Sequence, residues 1–282
     1  MLVNGRLGER TAVDRAVQPR DPVMRRGPWQ RELVWGSTDF EQASALARRN
    51  AAGSYPATIA QAAVSHANRR ALLAVFRAPV VTVRLCSDEA ERLCDFVAPA
   101  GRRIFTRRAQ LAQFVLDVPA TEAEYLAGKS RQALRTNLRH ADRAGIKCQR
   151  VSCYDDWRVA AEAILCTRTL PAGCSLVDVI GPPDPRHRVA LYAATDAYER
   201  PVAFAGTAMF GDLACLFTVV SAPDHPGASQ ALWALNAFVV LDQETDGIRY
   251  LTVGSALRDT AGTQYLAHLL GYRVRNLRFV GR

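Results

Sequence analysis

The segment from Cys215 to Gly247 constrains the fold most, because it reads as a strand, a tight loop and a helix in direct succession. The run LFTVV is apolar and partly β-branched, as expected of a buried strand. Pro223 and Gly227 end that strand, Ser229 is expected to cap the helix that follows, and Gly247 to end it. A strand that leads to a helix N-terminus brings free backbone N–H groups and the positive end of the helix dipole together, which favours phosphate binding.

Composition indicates a globular protein, since 49% of the 282 residues are hydrophobic and 22% are charged. This length accommodates one large domain or two of ordinary size. We expect a flexible tail over 1–28, an N-terminal α/β half over 29–120 and a second domain over 121–282. The sequence has no apolar run of about 18 residues and no apolar signal-peptide core, so a cytoplasmic location is expected.

Charge and cysteine content narrow the choice of partners. The seven cysteines contain no C-x-x-C pair and the five histidines are far apart, so neither a disulfide framework nor a metal site is expected. The net charge of +9 is carried almost wholly by arginine. Such a surface favours anionic partners, namely coenzyme phosphates, RNA or an anionic membrane face.

Four arginines recur at four-residue spacing on a helix predicted between residues 124 and 145, at Arg131, Arg135, Arg139 and Arg143. They form one slowly winding row about 18 Å long. Three interpretations are open. The row is a solvated charged face, a binding surface for an anionic acceptor or tRNA phosphates, or a brace between the two halves of the chain.

The remaining periodicities predict alternating helices and strands. In the first half we expect two helices, a strand, a third helix and two short strands, over 39–50, 57–76, 80–85, 87–97, 102–107 and 111–118. In the second half we expect β-α-β-β-β-α-β-α-β, with strands over 146–151, 188–195, 202–210, 213–220, 248–254 and 272–280 and helices over 155–169, 229–246 and 262–270.

Two motifs on this element order resemble those of known acyltransferases. The run VVSAPDHPGASQAL, from Val219 to Leu232, resembles the strand–pyrophosphate loop–helix of the GNAT N-acyltransferases, although Pro226 stands where that family has Arg or Gln. The block from Tyr125 to Ile146 resembles a signature of the Fem-like branch of the same fold, and the segment LLGY over 269–272 resembles the family's closing turn. The Fem-like positions are Tyr125, Leu126, Ser130, Arg135, Leu138, Arg139, Ala141, Arg143, Gly145 and Ile146.

The resemblance covers residues 121–282 and implies a mixed α/β, GNAT-like fold with a central mixed sheet flanked by helices. It leaves open whether the smaller α/β half before it is a degenerate second copy. The implied function is that of an N-acyltransferase, in which the amine of a small molecule or peptide attacks the thioester of acetyl-CoA or another acyl-CoA directly, without a metal.

The resemblance also implies roles for particular residues. The coenzyme would lie along the strand and the loop, contacting Phe217, Val219, Val220, Ser221, Gly227, Ala228, Ser229 and Gln230. Asp259 is the preferred general base, with Ser255 as a further catalytic candidate and Tyr265 as a proton donor to the leaving thiolate. Arg131, Arg135 and Arg139 would bind the acceptor. His225 has two interpretations, a contact to a phosphate from the loop or, as the favoured one, a surface histidine without a role.

Two alternatives remain. The first is a Fem-type transferase that uses aminoacyl-tRNA on a cell-wall precursor; the sequence lacks the long heptad arm common in such enzymes, so nucleic acid is not the favoured partner. The second is a non-catalytic GNAT-like binding protein, which the missing Arg or Gln before Gly227 keeps open. The oligomeric state is left open.

Overall fold

A computed structural model describes residues 36–49, 65–97, 109–166, 186–256 and 260–281. Eight strands lie in these ranges: β1 (Val80–Leu85), β2 (Ala109–Asp117), β3 (Lys147–Val151), β4 (Arg188–Thr195), β5 (Pro201–Phe210), β6 (Leu213–Ser221), β7 (Tyr250–Ser255) and β8 (Arg273–Gly281). They form one mixed sheet in the order β1-β8-β2-β7-β6-β5-β4-β3. The predicted fold class, a mixed α/β structure with a large central sheet, is confirmed.

Helices flank this sheet on both faces. They are α1 (Thr38–Arg49), α2 (His66–Phe76), α3 (Ser87–Val97), α4 (Glu122–Tyr125), α5 (Gln132–Arg143), α6 (Tyr154–Leu165), α7 (Ala228–Asp242) and α8 (Ala261–Leu270), with 3-10 turns at Lys129–Arg131 and Gln243–Asp246. None of the helices in the described ranges is long and apolar enough to span a bilayer.

The strands β3 to β8 follow the predicted order. β3, β4, β5 and β6 are successive antiparallel neighbours, and β7 then pairs with β6 in parallel. Tight turns join the central strands, with Glu199 at φ 62° and Gly211 at φ 57°. A Cβ atom on Gly211 would lie 2.0 Å from the carbonyl oxygen of Arg84, so both the space and the backbone conformation require glycine there.

The strand β2 occupies a position that the sequence did not predict. It lies between β7 and β8 and is antiparallel to both, with Leu116 opposite Leu251 and Phe114 opposite Val274. β1 pairs in parallel with β8 at the edge of the sheet. The proposed boundary at residue 120 therefore falls within one continuous sheet. The division into halves stays a prediction, and the expected tail over 1–28 and the strand over 102–107 lie outside the described residues.

A buried amide joins these early strands to the last one. Asn276 on β8 is 4% exposed, and its Oδ1 accepts the backbone N–H of Ala112 on β2 at 2.9 Å. Its Nδ2 donates to the carbonyl of Val75 at the end of α2, also at 2.9 Å. Ala112 lies at a register shift of β2 with φ 49°, so this hydrogen bond satisfies an N–H that the ladder does not.

The core is divided between the two faces of the sheet. On the α7 face, α1, α2, α5, α7 and α8 contribute to one large cluster of buried side chains. On the opposite face, which we call the α6 face, α3 and α6 cover two separate smaller clusters. Trp157 of α6 is 1% exposed, donates its indole N–H to the carbonyl of Ala205 at 3.0 Å and packs edge-on against Phe204.

Candidate functional site

The strands β6 and β7 pair for only three residues and then separate. Their parallel register ends at Cys215 opposite Thr252. β6 nevertheless continues along β5 to Ser221, and β7 continues along β2 to Ser255. The facing edges of 216–221 and 253–255 thus have no ladder partner among the described strands. We call this opening the fork; its backbone N–H and C=O groups are available to an extended ligand.

Two local irregularities accompany the separation. Gly254 on β7 has φ 112°, a conformation suited to glycine, which turns the end of β7 away from an ordinary extended path. On β6 the register with β5 shifts between Thr218 opposite Gly206 and Leu216 opposite Thr207. Phe217 is therefore the extra residue of a β-bulge on β6.

The loop after β6 ends at the start of α7, close to the fork. Gly227 is the N-cap residue, with φ −90°, and the helix begins at Ala228. Ser229 lies inside the first turn, so the prediction that it caps the helix is wrong. The physical reason is His225: the N–H of Gly227 donates to its Nδ1 at 3.0 Å, and the N–H of Ala228 donates to its carbonyl at 2.9 Å.

His225 is in turn held by a buried carboxylate. Its Nε2 lies 3.2 Å from Oδ2 of Asp196, which is 5% exposed in the β4–β5 turn. Because Nδ1 accepts a hydrogen bond, the ring proton of the neutral imidazole lies on Nε2 and is donated to Asp196. The interpretation of His225 as a surface residue without a role is thus wrong, since its side chain is 19% exposed and bonded through both nitrogens.

Several hydrogen bonds stabilise the ionised carboxylate of Asp196. Burial opposes its ionisation, but the guanidinium and backbone N–H of Arg200, the imidazole of His225 and the N–H of Tyr198 all donate to it and hold the pKa of Asp196 below its ordinary value. An ionised Asp196 therefore fixes the turn, the imidazole and the start of α7 in one hydrogen-bonded chain.

A cavity of about 270 Å³ opens beside the start of α7. Positively charged or titratable donors on its wall, Arg200, His140 and His225, accompany the N-terminal end of the helix dipole. The guanidinium of Arg200 lies on this wall and is paired with the carboxylate of Asp196. The lining residues are His140, Ala144, Ile146, Asp196, Ala197, Tyr198, Arg200, His225, Pro226, Gly227 and Gln230.

The residues assigned to coenzyme binding fall on two adjoining parts of the site. Phe217, Val219, Val220 and Ser221 follow each other along the fork edge of β6, and Gly227, Ala228, Ser229 and Gln230 form the start of α7. Phe217 is 39% exposed and Ser221 is buried. Their contact with a coenzyme stays a prediction.

The structure describes two of the three catalytic candidates. Ser255 is the last residue of β7, at the open end of the fork. Asp259 lies outside the described residues. Tyr265 is on α8 and is 54% exposed. Their catalytic roles stay predictions.

The arginine row does not present a uniform face. Arg131 lies over the ring of Tyr125, 5.3 Å from its centroid, and the space beside Gly271 is filled by its guanidinium. Burial and the neighbouring charge of Arg273 lower the pKa of Arg131, while Tyr125 acts in the opposite direction. Arg135 donates to the carbonyls of Leu126 and Gly128. Arg139 is exposed, which leaves it the best placed of the three for an acceptor.

Sequence reasoning missed Asp196 and Asn276, because nothing in the local pattern distinguishes them from ordinary turn and strand residues. Asp196 sits at the start of a tight turn, where Asp is common for local reasons. Its link to His225 spans 29 positions and depends on the pairing of β4, β5 and β6.

Comparison with other proteins gives distant likenesses only. No protein-family model matches the sequence, and no curated protein sequence matches it. Among solved structures, the chain is similar to L-PGS from Bacillus licheniformis (12% identity, 60% of each chain, TM-score 0.41), to FemX (10% identity, 58% of this chain and 59% of that one, TM-score 0.46) and to a GCN5-related N-acetyltransferase from Kribbella flavida (15% identity, 60% and 58%, TM-score 0.31). The chain thus spans about three fifths of the length of these proteins, and at these TM-scores the likenesses do not decide its fold or activity.

Proposed function

We propose that this protein is an acyl-CoA-dependent N-acyltransferase that acts in the cytoplasm. The observation that carries the proposal is the fork, where β6 and β7 separate after Cys215 and Thr252 and expose two strand edges beside a helix N-terminus. An extended chain of amides, such as the pantetheine arm of coenzyme A, can pair with such edges as an added strand does. The diphosphate would then reach the start of α7.

The N-terminus of α7 can bind the diphosphate, but not through its first two N–H groups. His225 already accepts from Gly227 and, through its carbonyl, from Ala228. A diphosphate would therefore use the N–H groups of Ser229 and Gln230. The hydrogen bonds of His225 hold the loop in place before the ligand arrives, which lowers the entropy lost on binding.

Acyl transfer needs a hydrogen-bond donor for the thioester carbonyl. A backbone N–H on the fork edge of β6 would polarise this carbonyl and stabilise the negative charge that develops on its oxygen. The acceptor amine must lose a proton as it attacks, and Asp259, which follows β7 in the sequence, would take it directly or through water. Tyr265 would donate a proton to the departing thiolate.

The aminoacyl-tRNA alternative rests on a different observation. The net charge is +9 and Arg139 is exposed on α5, as a phosphate-binding surface would require. Binding of charged tRNA with a steep salt dependence, together with no binding of acetyl-CoA, would favour this alternative. If the protein binds neither charged tRNA nor acetyl-CoA, the non-catalytic binding protein is the alternative that remains.

Titration calorimetry with acetyl-CoA tests the proposal directly. We expect micromolar binding to the wild type and loss of binding in Gly227→Val, because a Cβ atom at Gly227 already lies 3.3 Å from both His225 Nδ1 and Ile146 Cδ1. The matched control is Gly262→Val, whose Cβ meets nothing nearer than Thr260 Oγ1 at 3.9 Å and which should bind normally. Unchanged affinity in Gly227→Val would refute the assignment of the loop.

A further inference from the structure

His225 holds the start of α7 through both of its ring nitrogens. Its Nδ1 accepts the N–H of Gly227 at 3.0 Å, and its Nε2 lies 3.2 Å from Oδ2 of Asp196. The first contact requires an unprotonated Nδ1, and the second places the ring proton on Nε2. The hydrogen bond from Gly227 therefore exists only while the imidazole is neutral.

A second proton on the ring reverses the role of Nδ1. This nitrogen becomes a donor and faces the N–H of Gly227, which is also a donor, so the hydrogen bond between them is lost. The contact with Asp196 is kept, because an imidazolium still donates from Nε2 and now carries a charge opposite to that of the carboxylate. Protonation thus leaves the ring anchored on the β4–β5 turn and releases the N–H of Gly227.

The groups around the ring direct the added proton to the imidazole. Burial opposes the ionisation of Asp196, but hydrogen bonds from Arg200, His225 and Tyr198 hold the pKa of Asp196 below its ordinary value, so the carboxylate stays charged. The other titratable or charged groups among the described residues of the cavity wall and the loop are Asp224 in the same loop, His140 at the end of α5, and Tyr198 and Arg200 in the β4–β5 turn.

The released N–H belongs to the wall of the cavity beside α7. Both His225 and Gly227 line this cavity of about 270 Å³. While the imidazole is neutral, the paired charges of Asp196 and Arg200 offset each other on this wall. An imidazolium adds a net positive charge and two donors, Nδ1–H and the N–H of Gly227. The protonated form therefore favours an anion in the cavity, whereas the neutral form does not.

The amide of Gln230, in the first turn of α7, supports a ligand on the same wall. Its Oε1 is buried and has no hydrogen-bond partner within the part of the chain that the structure describes. An amide without a partner can turn and donate from Nε2 to an anion that also contacts His225.

We propose that His225 is a proton-dependent latch, which closes the N–H of Gly227 while the imidazole is neutral and opens it to a phosphate group when the imidazole is protonated. This inference rests on the proposed function in taking phosphate as the group that binds there. At higher pH a phosphate group has the N–H groups of Ser229 and Gln230, and at lower pH it gains Gly227 and the ring itself. Its binding is therefore coupled to the uptake of a proton.

Nuclear magnetic resonance on the full chain tests the latch without a ligand. Proton–nitrogen correlation spectra of the imidazoles are recorded from about pH 8 to about pH 5, the range in which histidines change charge. We expect the proton of His225 on Nε2 alone at the upper end and on both nitrogens at the lower end. The exchange protection of the Gly227 amide, corrected for the intrinsic rate at each pH, should fall by about fivefold or more. A proton on Nδ1 alone at the upper end, or unchanged protection, would overturn the inference.

His225→Asn separates titration from the hydrogen bond, because an Asn side chain accepts from the N–H two residues on but does not titrate. It should keep Gly227 protected over the whole pH range. His140→Gln is the matched control, since His140 is the other histidine on the cavity wall, and the fall in protection should persist in this variant. An equal fall in His225→Asn would contradict the latch. The wild-type spectra decide the question even if that variant does not fold.

Inorganic pyrophosphate and acetyl-CoA then separate the latch from the function beneath it. For either ligand, the affinity should rise from about pH 8 to about pH 6 by about fivefold more in the wild type than in His225→Asn. This difference with pyrophosphate, together with no binding of acetyl-CoA, would refute the proposed function and leave the inference standing. Binding of acetyl-CoA with the same pH dependence in both proteins, or no difference with either ligand, would overturn the inference.

Discussion

Replacing Asn276 by Ala should strongly destabilise the whole sheet. This side chain satisfies the backbone N–H of Ala112, which lies at an irregular position of β2, and donates to the carbonyl of Val75. Because β2 is also the neighbour of β7, Asn276 supports one side of the fork as well as the junction of early and late strands. The variant removes both hydrogen bonds without giving either backbone group a new partner.

The magnitude follows from what each group loses. The N–H of Ala112 would be left buried and unsatisfied, at about 1–3 kcal/mol, whereas the carbonyl of Val75 keeps the N–H of Ala78 at 3.2 Å and loses only a second bond worth about 1 kcal/mol. The free energy of unfolding should therefore fall by about 2–4 kcal/mol. For a chain of this size, that lowers the melting temperature by roughly 3–7 °C.

Denaturant unfolding followed by circular dichroism measures this change. The matched control is Asn137→Ala on α5, because the bond of Asn137 within the described residues is to the carbonyl of Ala133 on its own helix, so its loss should change the stability by less than about 0.5 kcal/mol. A loss below about 1 kcal/mol in Asn276→Ala would refute the reasoning. Two separate transitions, with only one affected, would instead indicate that residues before 120 fold as an independent domain.

Three further outcomes are expected. Trp157→Ala should lower the free energy of unfolding by about 3–5 kcal/mol in the same assay, since it removes a buried indole and its bond to a backbone carbonyl. The hydrogen bonds that lower the pKa of Asp196 stabilise the folded state above the ordinary value of 3.8, and this contribution is lost progressively as the pH falls from there toward the lower pKa of the folded state. Melting temperatures recorded between about pH 5 and pH 2 should therefore fall less steeply in Asp196→Asn. Burial raises the pKa of both Cys148 and Cys215 to about 12, so mass spectrometry after brief alkylation should find the exposed Cys153 modified and these two intact.

The local structure of the C-terminal part could be predicted from the sequence. Hydrophobic alternation located β4, β5 and β6 to within a residue at each end, and the turns at Glu199 and Gly211 joined them as expected. Patterns of this kind report which face of a strand is buried, and the buried face is a property of the segment itself.

Long-range pairing could not be predicted in this way. The sequence of β2 alternates as a strand should, but nothing in it specifies that β7 and β8 are its neighbours. The fork has the same origin, because the separation of β6 from β7 reflects a bulge at Phe217 and the backbone of Gly254 rather than a change in hydrophobic pattern. Hydrophobic periodicity does not predict that opening, whereas the resemblance to GNAT proteins does.

The start of α7 illustrates how a distant contact alters a local rule. Ser229 has the side chain that most often caps a helix, yet the helix begins before it at Ala228. His225 already satisfies the first N–H groups, and Asp196 fixes His225 from another strand connection. A capping rule that considers only neighbouring residues therefore placed the helix start too late.

Hydrogen–deuterium exchange with and without acetyl-CoA tests the central claim most directly, because it reports on the backbone amides of the fork themselves. The account predicts that acetyl-CoA slows exchange in peptides covering 216–221 and 227–230, while β1, at the edge of the sheet beyond β8, is unaffected. Acetyl-CoA that binds without protecting residues 216–221, or that leaves every peptide unchanged, would contradict it.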